Sequence, residues 1–312
     1  MNLFSIGAIG NSIFFKLAQA QGANVIDYQV LRNVSLLVAC SIELACNGLN
    51  PIKKFPWGEK QTLFWRCLTG QVNFFIFNLC LTLIPLTFQM IIFQTSSFWI
   101  SILAFLMYNE RVLPIEILAM VICFGGMVTM TMSGVTKKEG ASDEGSSGEF
   151  QHTSQELVLG YILIFVTGWI YSFNCILNRA LKDSHHAVIL FWHAIFGIVL
   201  SLSAVFIVAW FTTAPEETTG ISLFNYDSKV FGLMIIATLF DVVGVTSVTI
   251  AYQADSSGFV ALISYINIIY GFLADRIIFK ESFLPIELIA AIVILFVTVG
   301  TSVYKLNESK KT

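Results

Sequence analysis

Charge is scarce in this chain. Only 12% of its 312 residues are Asp, Glu, Lys or Arg, about half the usual quarter. The 17 basic and 20 acidic residues cluster in a few loops, and no basic patch points to nucleic acid. Histidine is rarer still, with four copies, and none stands at a metal-ligand spacing. The six cysteines, Cys40, Cys46, Cys67, Cys80, Cys123 and Cys175, sit inside apolar runs without a C-x-x-C pair. They read as small apolar helix residues. No metal or cofactor is therefore expected. No H-E-x-x-H, G-x-S-x-G or phosphate-binding loop occurs either, so no enzyme activity is expected. The opening "MNLFSIGAIGNSIFFKLAQAQG" lacks the basic n-region and small-residue cleavage site of a signal peptide, and reads as a first spanning helix.

Apolar side chains fill the space that charge leaves. They make up 56% of the chain, with 28 Phe and a mean hydropathy of +0.78. One globular core cannot absorb this much, so part of it must face lipid. A spanning helix needs about 20 mostly apolar residues. Ten segments qualify, at 3–20, 28–48, 61–83, 86–108, 113–133, 157–178, 187–211, 230–252, 257–279 and 284–304. The runs do not alternate with period two, which excludes a β-barrel. The expected fold is an all-α integral membrane protein. A Gly-, Ser- and acid-rich stretch at 134–156 reads as a flexible linker between two five-helix units at 1–133 and 157–305, and 306–312 reads as a short cytosolic tail.

A short phrase is written twice. "ERVLPIEIL" begins at Glu110 and "ESFLPIELI" at Glu281, an offset of 171 residues. Each copy opens the fifth helix of its unit, with Pro114 or Pro285 at a first-turn position that needs no N–H. Glu116 and Glu287 follow where the helix dipole favours negative charge. "NSIFFK" at Asn11–Lys16 is echoed by "NCILNR" at Asn174–Arg179. Two echoes in register predict an internal duplication. Five is odd, so the second unit enters the bilayer from the opposite side, as a 5+5 inverted repeat. Ten basic residues fall on one side of that arrangement and six on the other. This places both termini in the cytosol; Arg66 is counted among the inner helix ends and Arg32 among the outer ones.

The sequence resembles the EamA-type branch of the drug/metabolite transporter superfamily, among eukaryotic solute carriers related to the nucleotide-sugar transporters. "FLMYNERVLPIEIL" and "RIIFKESFLPIELI" carry that likeness, with an acidic residue between the fourth and fifth helices of each unit. "FFKLAQAQGANVIDYQVLR" adds Lys16 late in the first helix and Arg32 early in the second. The second unit departs from the pattern, with Ile195 where the first has Arg32. The resemblance covers nearly the whole chain and implies transport of a small organic solute, with the substrate left open.

Polar residues at membrane depth are the candidates for that chemistry. Asp241 is the acidic residue near the midpoint of a predicted span, where a carboxylate costs about 2.5–3.5 kcal/mol. The third span, its repeat partner, offers Gln71, Asn73 and Asn78. Gln94 and Trp99 in the fourth span align with Tyr265 and Tyr270 in the ninth, which also carries Asn267. Aromatic and amide groups suit an organic solute, although amides also join helices to one another. His193 is a further cavity candidate or a satisfied core histidine. Lys16 and Arg32 are candidate anion contacts. Two readings follow: a secondary transporter or exchanger working by alternating access, or a membrane scaffold that kept the fold. The expected surroundings are a lipid bilayer, a small solute and, in some assemblies, a second copy as a homodimer.

Overall fold

The computed structural model describes residues 2–52, 56–84, 86–109, 154–211, 226–255, 266–278 and 285–309, with parts of 114–129 and 259–264. Most of the expected linker at 134–156 and the end of the tail at 310–312 lie outside the described residues, as does Tyr265. The described residues are helical throughout, with no strand among them. Four helices are long and apolar enough to cross a membrane: Val25–Cys46, Val158–Ala180, His186–Phe206 and Ser228–Ala254. They match the predicted spans at 28–48, 157–178, 187–211 and 230–252. This is the pattern of an integral membrane protein.

Two compact units form, and they do not coincide with the two halves of the sequence. One joins 1–82 to 173–254; the other joins 83–172 to 255–312.

The first unit holds α1 (Asn2–Gln19), α2 (Val25–Cys46), most of α3 (Trp57–Leu83), the end of α6 (Ser154–Ala180), α7 (His186–Phe211) and α8 (Ser228–Ala254). Local chemistry fixes the ends of α2. Asn24 caps it by accepting from the Ile26 N–H at 3.0 Å. At the other end Gly48 adopts φ 61°, and the Leu49 N–H reaches back to the Leu44 carbonyl at 3.0 Å. A glycine takes that left-handed turn without Cβ strain. Tyr226 closes the start of α2 from the α8 side: its hydroxyl donates to Asp27 at 2.7 Å and accepts from the Asn24 N–H at 3.1 Å.

Close helix approach rests on glycine. A Cβ on Gly7 of α1 would lie 2.6 Å from backbone atoms of Gly244 and Phe240 in α8. Small residues at such a crossing are what association without a hydrophobic drive demands. Leu36 and Cys40 of α2 pack on Leu190 and Ala194 of α7, while Leu63 and Cys67 of α3 pack on Leu181 and Ile189. The outward faces are apolar: Ile42 is 60% and Phe206 73% exposed. Within a largely apolar interior, four charged residues are buried among the described residues: Asp27, Arg32, Arg66 and Asp241.

In the second unit the predicted fourth span is not one helix. It forms α4 (Leu86–Phe93) and α5 (Ser96–Tyr108), broken at Gln94 and Thr95. The Thr95 N–H and hydroxyl both turn back to the Ile92 carbonyl, at 3.0 and 2.8 Å. The Ser96 carbonyl, freed by the break, accepts from the Ser172 hydroxyl of α6 at 3.0 Å. Such internal satisfaction is what lets a broken helix exist at membrane depth. The ninth span is interrupted too, with a turn at Ser264 before α9 (Ile266–Ile277). The last helix, α10 (Pro285–Ser309), starts on Pro285 as expected. Pro114 is helical and exposed.

The Gly7 contact is testable. Gly7→Leu pits a side chain against backbone that cannot swing aside. It should cost about 1–3 kcal/mol or more, the range for overpacking. Gly58→Leu, where a Cβ meets nothing within 4 Å, should stay within about 0.5 kcal/mol of the parent. Thermal unfolding of the purified variants in detergent checks both, and equal behaviour would dismiss the glycine crossing as a stability determinant.

Candidate functional site

The predicted site residues divide between the units, and each group is described within its own. In the first unit, α2 carries three polar side chains toward the interior on consecutive turns: Gln29, Arg32 and Asn33. Residues three and four apart share a helix face. Asp241 of α8 meets this face, with Arg32 Nε donating to its Oδ2 at 2.6 Å. Arg32 is 2% exposed and Asp241 8%. The guanidinium also lies 3.7 Å from the centre of the Phe74 ring, a cation–π contact that gains strength away from water.

Gln71 of α3 binds the pair's surroundings together. Its amide N–H groups donate to Asn33 Oδ1 at 2.9 Å and to the His193 carbonyl of α7 at 2.8 Å. Its own carbonyl accepts from Gln29 at 2.7 Å. Asn33 donates back to the Gln29 carbonyl at 2.8 Å. Gly197 of α7 makes this possible, because a Cβ there would lie 2.3 Å from Asn33 Oδ1 and 2.4 Å from Gln71 Nε2. Tyr28 extends the polar interior by donating to Asn11 of α1.

A second polar cluster joins α3, α6 and α8. Arg66 of α3 donates through Nε to Asn178 Oδ1 of α6 at 2.9 Å and through Nη2 to Thr249 of α8 at 3.4 Å. Asn174 donates to the Arg66 carbonyl at 2.7 Å. His193 packs beside Gly70, where a Cβ would come 2.8 Å from its Cε1.

Thus Asp241, Arg32, Gln71 and the His193 backbone meet in one network. Asn78 is buried and donates to the Phe74 carbonyl at 2.8 Å. Asn73 and Lys16 are half-buried. Two residues counted among the helix-end cations are buried: Arg66 is 2% exposed, and Arg32 is ion-paired with Asp241.

In the second unit, Gln94 donates to Ser97 at 2.6 Å and to Ser264, joining the two helix breaks. Asn267 is buried, while Trp99 and Tyr270 are half-buried. The fold also gathers Glu43, His185 and His186, which no linear spacing announced: their ligand-type atoms lie within 4.8 Å, and His186 Nε2 is 2.7 Å from Glu43 Oε1. His185 Nδ1 already accepts from the Ala187 N–H at 3.2 Å.

No family model matches the sequence, and no curated protein matches it. A solved structure, "Crystal structure of protein", aligns with 97% of this chain and 97% of its own length, at a TM-score of 0.64 and 16% identity. At that identity the likeness is one of fold.

Removing one half of the buried ion pair strands the other. Asp241→Asn and Arg32→Met should each lose about 3–5 kcal/mol of stability, whereas the Arg32→Met/Asp241→Met double variant should recover most of it. Thermal unfolding of the three proteins in one detergent decides. A double variant no more stable than either single one would show that Arg32 and Asp241 do not act as a pair.

Proposed function

We propose that the chain is a secondary transporter of a small organic solute, working by alternating access, with the 5+5 inverted-repeat architecture of the EamA-type drug/metabolite transporters. One observation carries the reading: polar side chains from both halves of the sequence converge inside a membrane-type helix bundle. Arg32, Asn33, Gln29 and Gln71 come from the first half, Asp241 and the His193 carbonyl from the second. Ionisable residues inside a membrane are costly to bury and mark solute and ion pathways, which favours transport over a scaffold role.

Two further features support the duplication. The unit boundaries at Thr82 and Ala254 are 172 residues apart, one residue from the offset of the repeated phrase. The first compact unit therefore joins two segments, 1–82 and 173–254, that the offset nearly superposes. The helix breaks correspond as well: Gln94 and Thr95 plus 171 fall on Tyr265 and Ile266, at the start of α9. Interrupted helices at equivalent places in two repeats are the recurring location of transporter binding sites.

The test has two arms. Proteoliposomes holding the purified chain should accumulate at least one member of a small-metabolite library above protein-free vesicles, and uptake should saturate. Cysteine labelling at positions 146 and 312 should report opposite sides of the membrane, Ser146 outside and Thr312 in the cytosol. Labelling of both from one side would refute the inverted repeat, and no uptake of any solute would refute transport.

A further inference from the structure

We propose that Arg66 is the anion-binding residue of this transporter, and that the solute it takes carries a carboxylate or phosphate group. The inference rests on the transport reading above and narrows its substrate class.

Arg66 lies on α3, nine residues from the start of the helix at Trp57, or about 13 Å along the axis. It is 2% exposed. A guanidinium presents five N–H donors and stays charged at any pH a protein meets. Here Nε is satisfied by Asn178 and Nη2 reaches Thr249, while Nη1 is buried with no hydrogen-bond partner. Both partners are neutral. Among the described residues no carboxylate comes within ion-pair distance of Arg66; the buried carboxylate of Asp241 is engaged by Arg32.

The contrast with Arg32 is the core of the argument. Arg32 has its counter-charge built in, 2.6 Å away. Arg66 occupies the same bundle interior without one, in surroundings where an unpaired charge is strongly unfavourable. The protein has met the other needs of the site. Asn174 and Asn178 hold the backbone carbonyl and Nε of Arg66 from α6. Gly70, one turn further along the same face of α3, leaves room for His193. The free Nη1 of Arg66 therefore sits in a buried site whose other contacts to the guanidinium, Asn178 and Thr249, are neutral. A planar fork of donors matches the oxygen pair of a carboxylate or phosphate, and an incoming anion supplies the missing charge. The cation has no built-in counter-charge because its partner is cargo that must leave again.

The experiment uses the purified full-length chain in detergent, with thermal unfolding followed at constant ionic strength. The probes are inorganic phosphate and succinate, with chloride as the reference. The wild-type melting temperature should rise with the concentration of at least one probe, as binding to the folded state requires. Arg66→Met should lose that rise, its apparent affinity falling at least about tenfold. Without added anion Arg66→Met should melt at or above wild type, since an unpaired buried charge has been removed. A purely structural arginine would instead lower the melting point with and without anion, which would overturn the proposal. If Arg66→Met does not fold, Arg66→Lys replaces it: a reduced shift supports the site, an unchanged one refutes it. Failure of both probes to shift wild type beyond chloride also refutes it. A shift given by phosphatidylglycerol and by neither soluble anion would assign the site to a lipid headgroup and overturn the proposal. Uptake separates the two readings. Anion binding without any transport would keep the site and remove the transporter, whereas uptake of neutral or cationic solutes unaffected by Arg66→Met would keep the transporter and remove the site.

Discussion

Inside a bilayer, a charge can be tolerated when the protein surrounds it with partners. The Arg32–Asp241 contact at 2.6 Å is this chain's answer to that constraint, and much of the first unit is arranged around it. Phe74 covers the guanidinium, Asn33 and Gln71 continue the hydrogen-bond chain, and Gly197 withdraws its side chain to admit them. The glycine contact between α1 and α8 belongs to the same design, since it brings backbone to backbone on the helix that carries Asp241. Apolar packing between α2 and α7 then frames the polar network from the side. Such networks specify one arrangement of helices, because any other leaves a polar group unpaired in a low dielectric.

Much of this was legible in the sequence, for reasons tied to length and polarity. Spans two, six, seven and eight were readable because their apolar runs are long and almost free of charge. Asp241 was readable for the opposite reason, as a lone acid in the middle of such a run. The mate of Asp241 was not. Arg32 lies 209 residues away, and no local pattern joins them. The burial of Arg66 was not legible either, because its partners Asn178 and Thr249 lie 112 and 183 residues away. The helix breaks were hidden because Gln94–Thr95 contains neither glycine nor proline; the interruption depends on side chains such as Ser172 that satisfy the freed carbonyl from elsewhere in the chain.

The compact units illustrate a different limit. The sequence divides at a polar stretch into halves of similar length, and that stretch is a natural place to cut. Packing divides otherwise, with 1–82 joined to 173–254. Hydrophobicity reports which segments enter the membrane but carries little information on which segments then associate, because lipid and a neighbouring helix are about equally apolar. Association is decided by small residues such as Gly7 and Gly244 and by polar pairs, and these are single letters in long apolar runs.

The separation between Arg32 and Asp241 also sets an order of events during synthesis. A ribosome adds about 5–20 residues per second. After Arg32 has emerged, 209 residues must be made before Asp241 exists, a delay of about 10–40 s at that rate. Throughout this interval α2 carries a charge whose partner has not been translated, so Arg32 depends on water, lipid headgroups or the insertion machinery for solvation. A chain that ends after α2 but before α8 carries Arg32 without the carboxylate that neutralises it in the finished protein.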